Sequence, residues 1–219
     1  MMKKLTIAAL LLASALPVTA QDWSLGVSSG PFVFGDFFER TVGVGNENPA
    51  GEQTIVLSAG TRAGLAVDLE RSLAERWAIR AEGTFTRSPM TLTQEGSTGE
   101  FELDAGDLDV ATFALPIVFR INPNGSFRFY LLGGPAMAIY KLDSPPTTQL
   151  GFEDTQTEFG VAFGGGVAWW LSDRFALEAK ITDTITTSPL DENDFDDTPG
   201  AEVKKPHNAH GTLGIRWRF

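Results

Sequence analysis

The chain has 219 residues, of which 42% are hydrophobic and 11% aromatic, and its 28 acidic residues outnumber its 17 basic residues to give a net charge of -11. This length suits one domain, the apolar content is too high for a disordered chain, and the acidic balance argues against a nucleic-acid partner. The sequence contains no cysteine, which excludes disulfides, zinc-thiolate sites and cysteine nucleophiles.

The first 20 residues have the three parts of a secretory signal peptide. Residues 1–4 are short and basic, residues 5–16 form an apolar run, and Val18-Thr19-Ala20 places small residues at a cleavage site. A membrane anchor is the alternative, but the apolar run is shorter than the roughly 20 residues that a spanning helix needs. We therefore expect export with cleavage after Ala20, leaving a mature domain over residues 21–219 with a net charge of about -13 once Lys3 and Lys4 are lost.

Beyond Gln21, apolar residues recur with a period of two, which is typical of β-strands with one apolar face. The pattern is least regular at its start, over residues 22–34. Seven further segments follow in chain order, with apolar faces carried by Leu65/Val67/Leu69, Trp77/Ile79/Phe85, Phe113/Leu115/Ile117/Phe119, Phe127/Phe129/Leu131, Phe159/Val161/Phe163, Phe175/Leu177/Ile181 and Leu213/Ile215/Trp217/Phe219. The sequence thus predicts eight strands of about 10 to 15 residues, near the length that a tilted strand needs to cross a membrane.

The connections between these strands alternate strictly in length. Three are short, over residues 72–76, 122–126 and 172–174, and four are long and polar, over residues 35–60, 88–106, 141–156 and 188–208. All short turns therefore lie at one end of an up-and-down meander, as in barrels with short periplasmic turns and long extracellular loops. The expected fold class is all-β, an eight-stranded antiparallel up-and-down transmembrane β-barrel.

The alternative is a soluble lipocalin-like barrel or β-sandwich, in which the apolar face points inward. Two features favour lipid instead: the apolar faces are aromatic and aliphatic along every strand, and the opposite faces are rich in Gly, Ala and Thr. Asp68 and a further set of charges lie on these opposite faces and are expected to form a paired, structural network in the lumen. That further set is Arg62, Glu70, Arg80, Glu82, Arg120, Arg128, Glu158, Glu178, Lys180, Arg216 and Arg218.

Over residues 21–219 the chain resembles the small eight-stranded outer-membrane β-barrels, the OmpA/OmpX-like family. The most similar stretches run from Leu115-Pro116 through the Asn-Pro-Asn-Gly turn to Pro135, and over the glycine-rich residues 159–171. The resemblance implies residence in the bacterial cell outer membrane, as a monomer among outer-membrane lipid and lipopolysaccharide. It also implies that the barrel-assembly machinery reads the last strand, whose signal residues are Leu213, Ile215, Trp217 and Phe219.

Two sets of polar residues are candidate sites. His207 and His210, three residues apart, are expected in a loop at the mouth of the last strand, where a catalytic or metal-binding role is the alternative to a plain polar loop. The acidic run over residues 191–197 lacks the spacing of an EF-hand, and divalent cations bridging it to lipopolysaccharide phosphates are the alternative to a solvated loop. We assign no catalytic residue, metal or cofactor.

Three functions remain open. The first is a non-enzymatic structural or surface-interaction barrel that acts through its long acidic loops. The second is a small porin-like channel, which requires water-filled continuity between Arg62, Arg120 and Arg216. The third is a lipid A-modifying enzyme that uses one of the histidines. We favour them in this order, because an eight-stranded lumen is narrow and no catalytic partner of the histidines lies nearby in sequence.

Overall fold

The structure, a computed structural model, describes residues 23–42, 53–96, 99–143, 155–189 and 201–219. The predicted signal peptide lies outside these residues. Within them no helix is long and apolar enough to cross a membrane. Twelve strands are present in the described ranges: β1 (Trp23–Phe34), β2 (Phe38–Val42), β3 (Gln53–Ala59), β4 (Arg62–Ser72), β5 (Trp77–Gly96), β6 (Gly99–Ala114), β7 (Ile117–Arg120), β8 (Phe127–Asp143), β9 (Gln156–Trp170), β10 (Phe175–Thr186), β11 (Ala201–Val203) and β12 (His207–Arg218).

These strands form a closed antiparallel ring. β1 pairs with β4 on one side and with β12 on the other. From β4 the order around the ring is β5, then β6 followed end to end by β7, then β8, β9, β10 and β12, and each position pairs with the next. We use the word stave for one complete strand of the barrel wall. β6 and β7 form one stave, which is interrupted at Leu115 and Pro116, where the Pro116 carbonyl still accepts a hydrogen bond from Arg80 N at 2.9 Å. Counted as staves, the ring has eight, which confirms the predicted eight-stranded barrel.

The outer face of the ring is apolar and the inner face is polar. On β12, Leu213 is 72% exposed while the adjacent Thr212 is 3% exposed, and the same alternation runs along the other staves. A water-soluble barrel would bury the apolar side chains, so this orientation favours lipid contact over the lipocalin-like and sandwich alternatives. The ten residue steps from Phe159 to Trp169 on β9 cover roughly 25 Å of bilayer for a strand tilted by about 40°.

An aromatic girdle surrounds the end of the barrel that carries the short turns. Adjacent outer-face rings contact one another there: Trp77 with Phe119 at 4.8 Å, Phe127 with Trp169 at 5.4 Å and Trp217 with Phe175 at 6.4 Å between ring centroids. Aromatic rings concentrate at the headgroup level of transmembrane barrels. The girdle therefore marks the interface on the short-turn side, which is the periplasmic side in this class of barrel.

The second long connection is not a loop. Residues 88–106 were expected to be irregular, but β5 and β6 continue through them and pair from Ser88 with Leu108 up to Gly96 with Gly99. The prediction was wrong because the alternation is inverted here: Met90, Leu92 and Leu103 lie on the face that continues the lumen, whereas Thr91, Thr93 and Glu102 lie on the outer face. The outward apolar row that marks the other strands is therefore missing. A bulge at Ala105, next to Gly106 with φ of 102°, shifts the register and increases the local twist. The first and last long connections also contain the short strands β2, β3 and β11.

Candidate functional site in the barrel interior

The inner face of the barrel is divided into layers along its axis. Strand alternation places every second side chain in the lumen, so each layer takes its chemistry from residues on different staves at the same height. From the periplasmic end, the layers are an arginine-rich mouth, a buried ionic cluster, a band of threonines around one lysine and one histidine, and an apolar cluster.

At the periplasmic mouth, Arg120, Arg128 and Arg218 line a cavity of about 30 Å³ together with Arg80 and Arg216 of the layer above. Arg120 Nη2 donates to Glu70 Oε1 at 2.6 Å and to Ser72 Oγ at 2.8 Å. Arg128 and Arg218 instead stack over the ring of Trp170, with guanidinium carbons 4.9 and 4.0 Å from its centroid. The mouth is therefore rich in positive charge.

The next layer, which we call the ionic plug, consists of Asp68, Glu70, Arg80, Glu178 and Arg216. Arg80 Nη2 lies 2.6 Å from Glu70 Oε2 and 3.2 Å from Glu178 Oε1. Arg216 Nη2 lies 2.6 Å from Asp68 Oδ1 and 2.7 Å from Glu178 Oε2. All five side chains are buried, which is tolerable only because each charge meets an opposite charge and further hydrogen-bond partners.

Two neighbours of the ionic plug complete its packing. The Tyr130 hydroxyl donates to Glu178, and the Arg80 guanidinium carbon lies 4.8 Å from the centre of the Tyr130 ring. Gly166 leaves the space that this ring occupies, because a Cβ there would lie 2.5 Å from the Tyr130 hydroxyl oxygen. Tyr130 shares the inward face of β8 with Arg128, so strand parity indicates its direction, but as an uncharged residue it was not among the predicted lumen charges.

Above the ionic plug, Lys180 Nζ donates to Glu82 Oε2 at 2.5 Å, and both side chains are buried. His210 Nε2 lies 3.4 Å from Glu82 Oε1 without hydrogen-bond geometry, and its ring stacks on Phe32 with centroids 4.6 Å apart. Among the described residues, Thr182 Oγ1 and Thr212 Oγ1 also have no hydrogen-bond partner. Beside Glu82, Thr182 and His210 is a cavity of about 10 Å³, which is room for one water.

The expectation that the two histidines share a loop was wrong. Both lie in β12, and residues three apart in a strand point to opposite faces. His210 is buried in the lumen, whereas His207 is on the outer face, where its Nδ1 lies 2.8 Å from Asp183 Oδ2. The pair therefore cannot hold one metal ion, and across the described ranges no group of three or more metal-binding side chains is found.

The extracellular end of the lumen is filled by a cluster that we call the apolar cap. Its buried members are Phe32, Phe34, Phe37, Leu57, Ala59, Met90, Ala105, Leu108, Val110, Ala138 and Tyr140. The Tyr140 hydroxyl is hydrogen-bonded to Thr186 Oγ1 at 2.8 Å and accepts from Asn208 Nδ2 at 2.6 Å, so the polar atom buried within this cap is satisfied. The interior thus changes from ion pairs to apolar packing along the axis.

Two of the predicted lumen charges lie away from the network. Arg62 shares the inward parity of Asp68 and Glu70, but it is exposed at the far end of β4 and makes no ion pair with another described residue. Glu158 lies near the extracellular end of β9, where it accepts a hydrogen bond from Thr187. Parity fixes the face on which a residue lies but not its height along the barrel, and this is why sequence grouped both with the ionic plug.

An outward-facing charge cluster marks the extracellular edge of the apolar band. Arg87 Nη2 lies 3.0 Å from Asp107 Oδ2 and 3.3 Å from Asp143 Oδ2, and Arg87 Nε lies 3.7 Å from Asp109 Oδ1. The hydrogen bond that Arg87 donates to Asp107, followed by the negative charge of Asp109, raises the pKa of Arg87 above its usual value. Because Arg87 and Asp107 are about half exposed and point outward, the strands beyond them extend into water.

The acidic run over residues 191–197 lies outside the described residues. The residues of the predicted assembly signal are described: Leu213, Ile215 and Trp217 point outward from β12, and Phe219 follows them with its ring 5.4 Å from that of Trp217. They form the apolar outer face of the last stave.

Comparison with known proteins identifies the family. A model of the outer membrane protein beta-barrel domain matches residues 5–219. The chain belongs to this family. Its members and the structural neighbours below indicate a location in the bacterial outer membrane. No curated protein matches the sequence.

Solved structures with the same fold differ widely in sequence. The outer membrane protein OprG from Pseudomonas aeruginosa is 12% identical with a TM-score of 0.59, and the match covers 90% of this chain and 95% of that one. Neisserial surface protein A is 11% identical with a TM-score of 0.56, covering 90% and 97% of the two chains. The outer membrane protease OmpT from Escherichia coli is 11% identical with a TM-score of 0.53, covering 94% and 99%. At these identities the likeness shows a shared fold, on which proteins of different activity are built.

Proposed function

We propose that this protein is a non-conducting outer-membrane barrel that acts through its extracellular surface. The observation that carries the proposal is the filled interior. The cavities in the mouth and in the threonine layer measure about 30 and 10 Å³, room for a few waters in the mouth and for one in the threonine layer, and not for a continuous path of hydrated ions. The ionic plug and the apolar cap separate the two ends of the lumen.

The porin-like alternative needs a continuous aqueous path past Arg62, Arg120 and Arg216. Arg216 is 2% exposed and bound to Asp68 and Glu178, while Arg62 lies beyond the layers that contain the other two arginines. A buried, fully paired arginine does not offer a permeating ion a free charge. This arrangement favours the closed barrel.

Planar-bilayer conductance of the refolded barrel tests the closed lumen. We expect no discrete openings from protein whose heat-modifiable gel shift shows that it is folded, while a reference porin in the same bilayers conducts. Reproducible openings whose size changes in Arg120→Ala or Arg216→Ala would overturn the closed barrel and establish the channel.

The surface that we propose to be active is the tip of the β5–β6 hairpin. Phe101 is 63% exposed and Leu103 is 43% exposed, and both lie beyond the charge cluster around Arg87, outside the apolar band. Glu100 and Glu102 alternate with them and are also exposed. Apolar anchors within an acidic rim are suited to a partner with a cationic, amphipathic surface.

The test of this surface compares the binding of two peptides to barrels in phosphatidylcholine nanodiscs. The peptides have equal positive charge, but one is an amphipathic helix and the other is a lysine homopeptide. We expect the wild type to bind the amphipathic peptide about 10-fold more tightly, which corresponds to roughly 1.4 kcal/mol. Phe101→Ser/Leu103→Ser should remove this preference, and the control Thr93→Ser on the neighbouring strand should retain it. Equal affinity for both peptides in the wild type would contradict the proposal.

We also propose that the barrel-assembly machinery reads the outward face of β12 during insertion. The inserted barrel is proposed to be a monomer that is surrounded by outer-membrane lipid and lipopolysaccharide. The support for the first point is the row formed by Leu213, Ile215 and Trp217, and for the second the continuous apolar outer face.

A further inference from the structure

The periplasmic mouth contains two cations that the ionic plug does not neutralise. Arg80 and Arg216 share Asp68, Glu70 and Glu178, and Arg120 binds Glu70. Arg128 and Arg218 have no carboxylate within 4.0 Å among the described residues.

These two arginines are also held close together. Both guanidinium groups stack on the ring of Trp170, at 4.0 Å for Arg218 and 4.9 Å for Arg128, and Arg128 Nε donates to the Gly125 carbonyl at 3.2 Å. The aromatic ring stabilises each cation, but it does not remove the repulsion between them. Since both line the mouth cavity of about 30 Å³, this cavity has an excess of positive charge along its wall.

We propose that Arg128 and Arg218 bind a phosphate-type oxyanion at the periplasmic mouth. Guanidinium groups present paired N–H donors that match two oxygens of a phosphate, and two unneutralised cations match its charge. The same chemistry is available from free phosphate in the periplasm and from a phospholipid headgroup, because the aromatic girdle places this end of the barrel at the headgroup level. This site is independent of the extracellular surface proposed above.

Isothermal titration of inorganic phosphate into the refolded mature chain, in a maltoside detergent at constant ionic strength, tests the site. We expect saturable binding that is at least 10-fold weaker in Arg128→Gln/Arg218→Gln. Arg62→Gln/Arg87→Gln removes two exposed arginines elsewhere and should leave the affinity unchanged. A heat-modifiable gel shift checks that each variant is folded. If the glutamine variant folds poorly, Arg128→Lys/Arg218→Lys takes its place. The lysine variant keeps both charges and should retain part of the wild-type affinity for phosphate.

A second titration separates the two sources of phosphate. Maltoside micelles doped with phosphatidylglycerol are compared with micelles doped with diacylglycerol, which lacks the phosphate, and bound lipid is counted by native mass spectrometry. Binding of inorganic phosphate without lipid supports a soluble ligand, and arginine-dependent retention of phosphatidylglycerol alone supports a headgroup. No binding in either arm, or equal binding to the wild type and the glutamine variant, overturns the proposal.

Discussion

The two ends of the lumen are closed by opposite chemistries. Near the periplasm, Arg80 and Arg216 are held by carboxylates at 2.6 to 3.2 Å, whereas near the outside Phe37, Met90 and Leu108 pack without charge. An ion-paired layer depends on complete pairing, because one missing partner leaves an uncompensated buried charge. An apolar layer loses stability in proportion to the atoms removed and the cavity that remains. Removal of one partner is therefore expected to lower the stability of the ionic plug abruptly, whereas the stability of the apolar cap falls gradually with the number of atoms removed.

The largest expected effect is at Arg80. Arg80→Ala leaves Glu70 and Glu178 with fewer partners inside the barrel, and we expect the free energy of unfolding to fall by about 3–5 kcal/mol. Urea unfolding in detergent, followed by tryptophan fluorescence, measures this loss. Arg87→Ala is the matched control on the same strand, since its half-exposed ion pairs should contribute less than about 1 kcal/mol. Equal losses in the two variants would show that burial of the ionic plug does not matter.

A smaller effect is expected in the apolar cap. Leu108 is fully buried on β6, and Leu108→Ala should lower the free energy of unfolding by about 2–4 kcal/mol through lost burial and a residual cavity. Leu103→Ala, on the same strand but 43% exposed, should cost about 0.5 kcal/mol or less. The same urea titration compares them, and a loss at Leu108 as small as that at Leu103 would mean that the cap is loosely packed.

The sequence predicted the eight staves and the face of most residues correctly, because both follow from a period of two. Leu213 outward and Arg216 inward are fixed by parity alone. Parity assigns the correct face to an entire strand when one face meets lipid, since the contrast between faces is then maximal.

What the sequence did not provide is height along the barrel. Arg62 and Asp68 share a face, yet only Asp68 reaches the ionic plug, because height depends on strand tilt and on the register between staves. The β5–β6 hairpin was missed for a different reason: beyond the membrane its apolar side chains, such as Leu92 and Leu103, lie on the inner face, so the outward apolar row that marks a lipid-facing strand is absent.

The closing seam between β1 and β12 joins residues from the two ends of the chain, with Ser24 opposite Arg218. On this seam Arg216 donates to Ser24 Oγ at 3.1 Å and binds Asp68 on β4. Until the last stave is in place, Asp68 lacks this partner and β1 presents an open edge. Ring closure and the pairing of Asp68 with Arg216 are therefore coupled, and strand pairing between residues so distant in sequence is of the kind that slows folding.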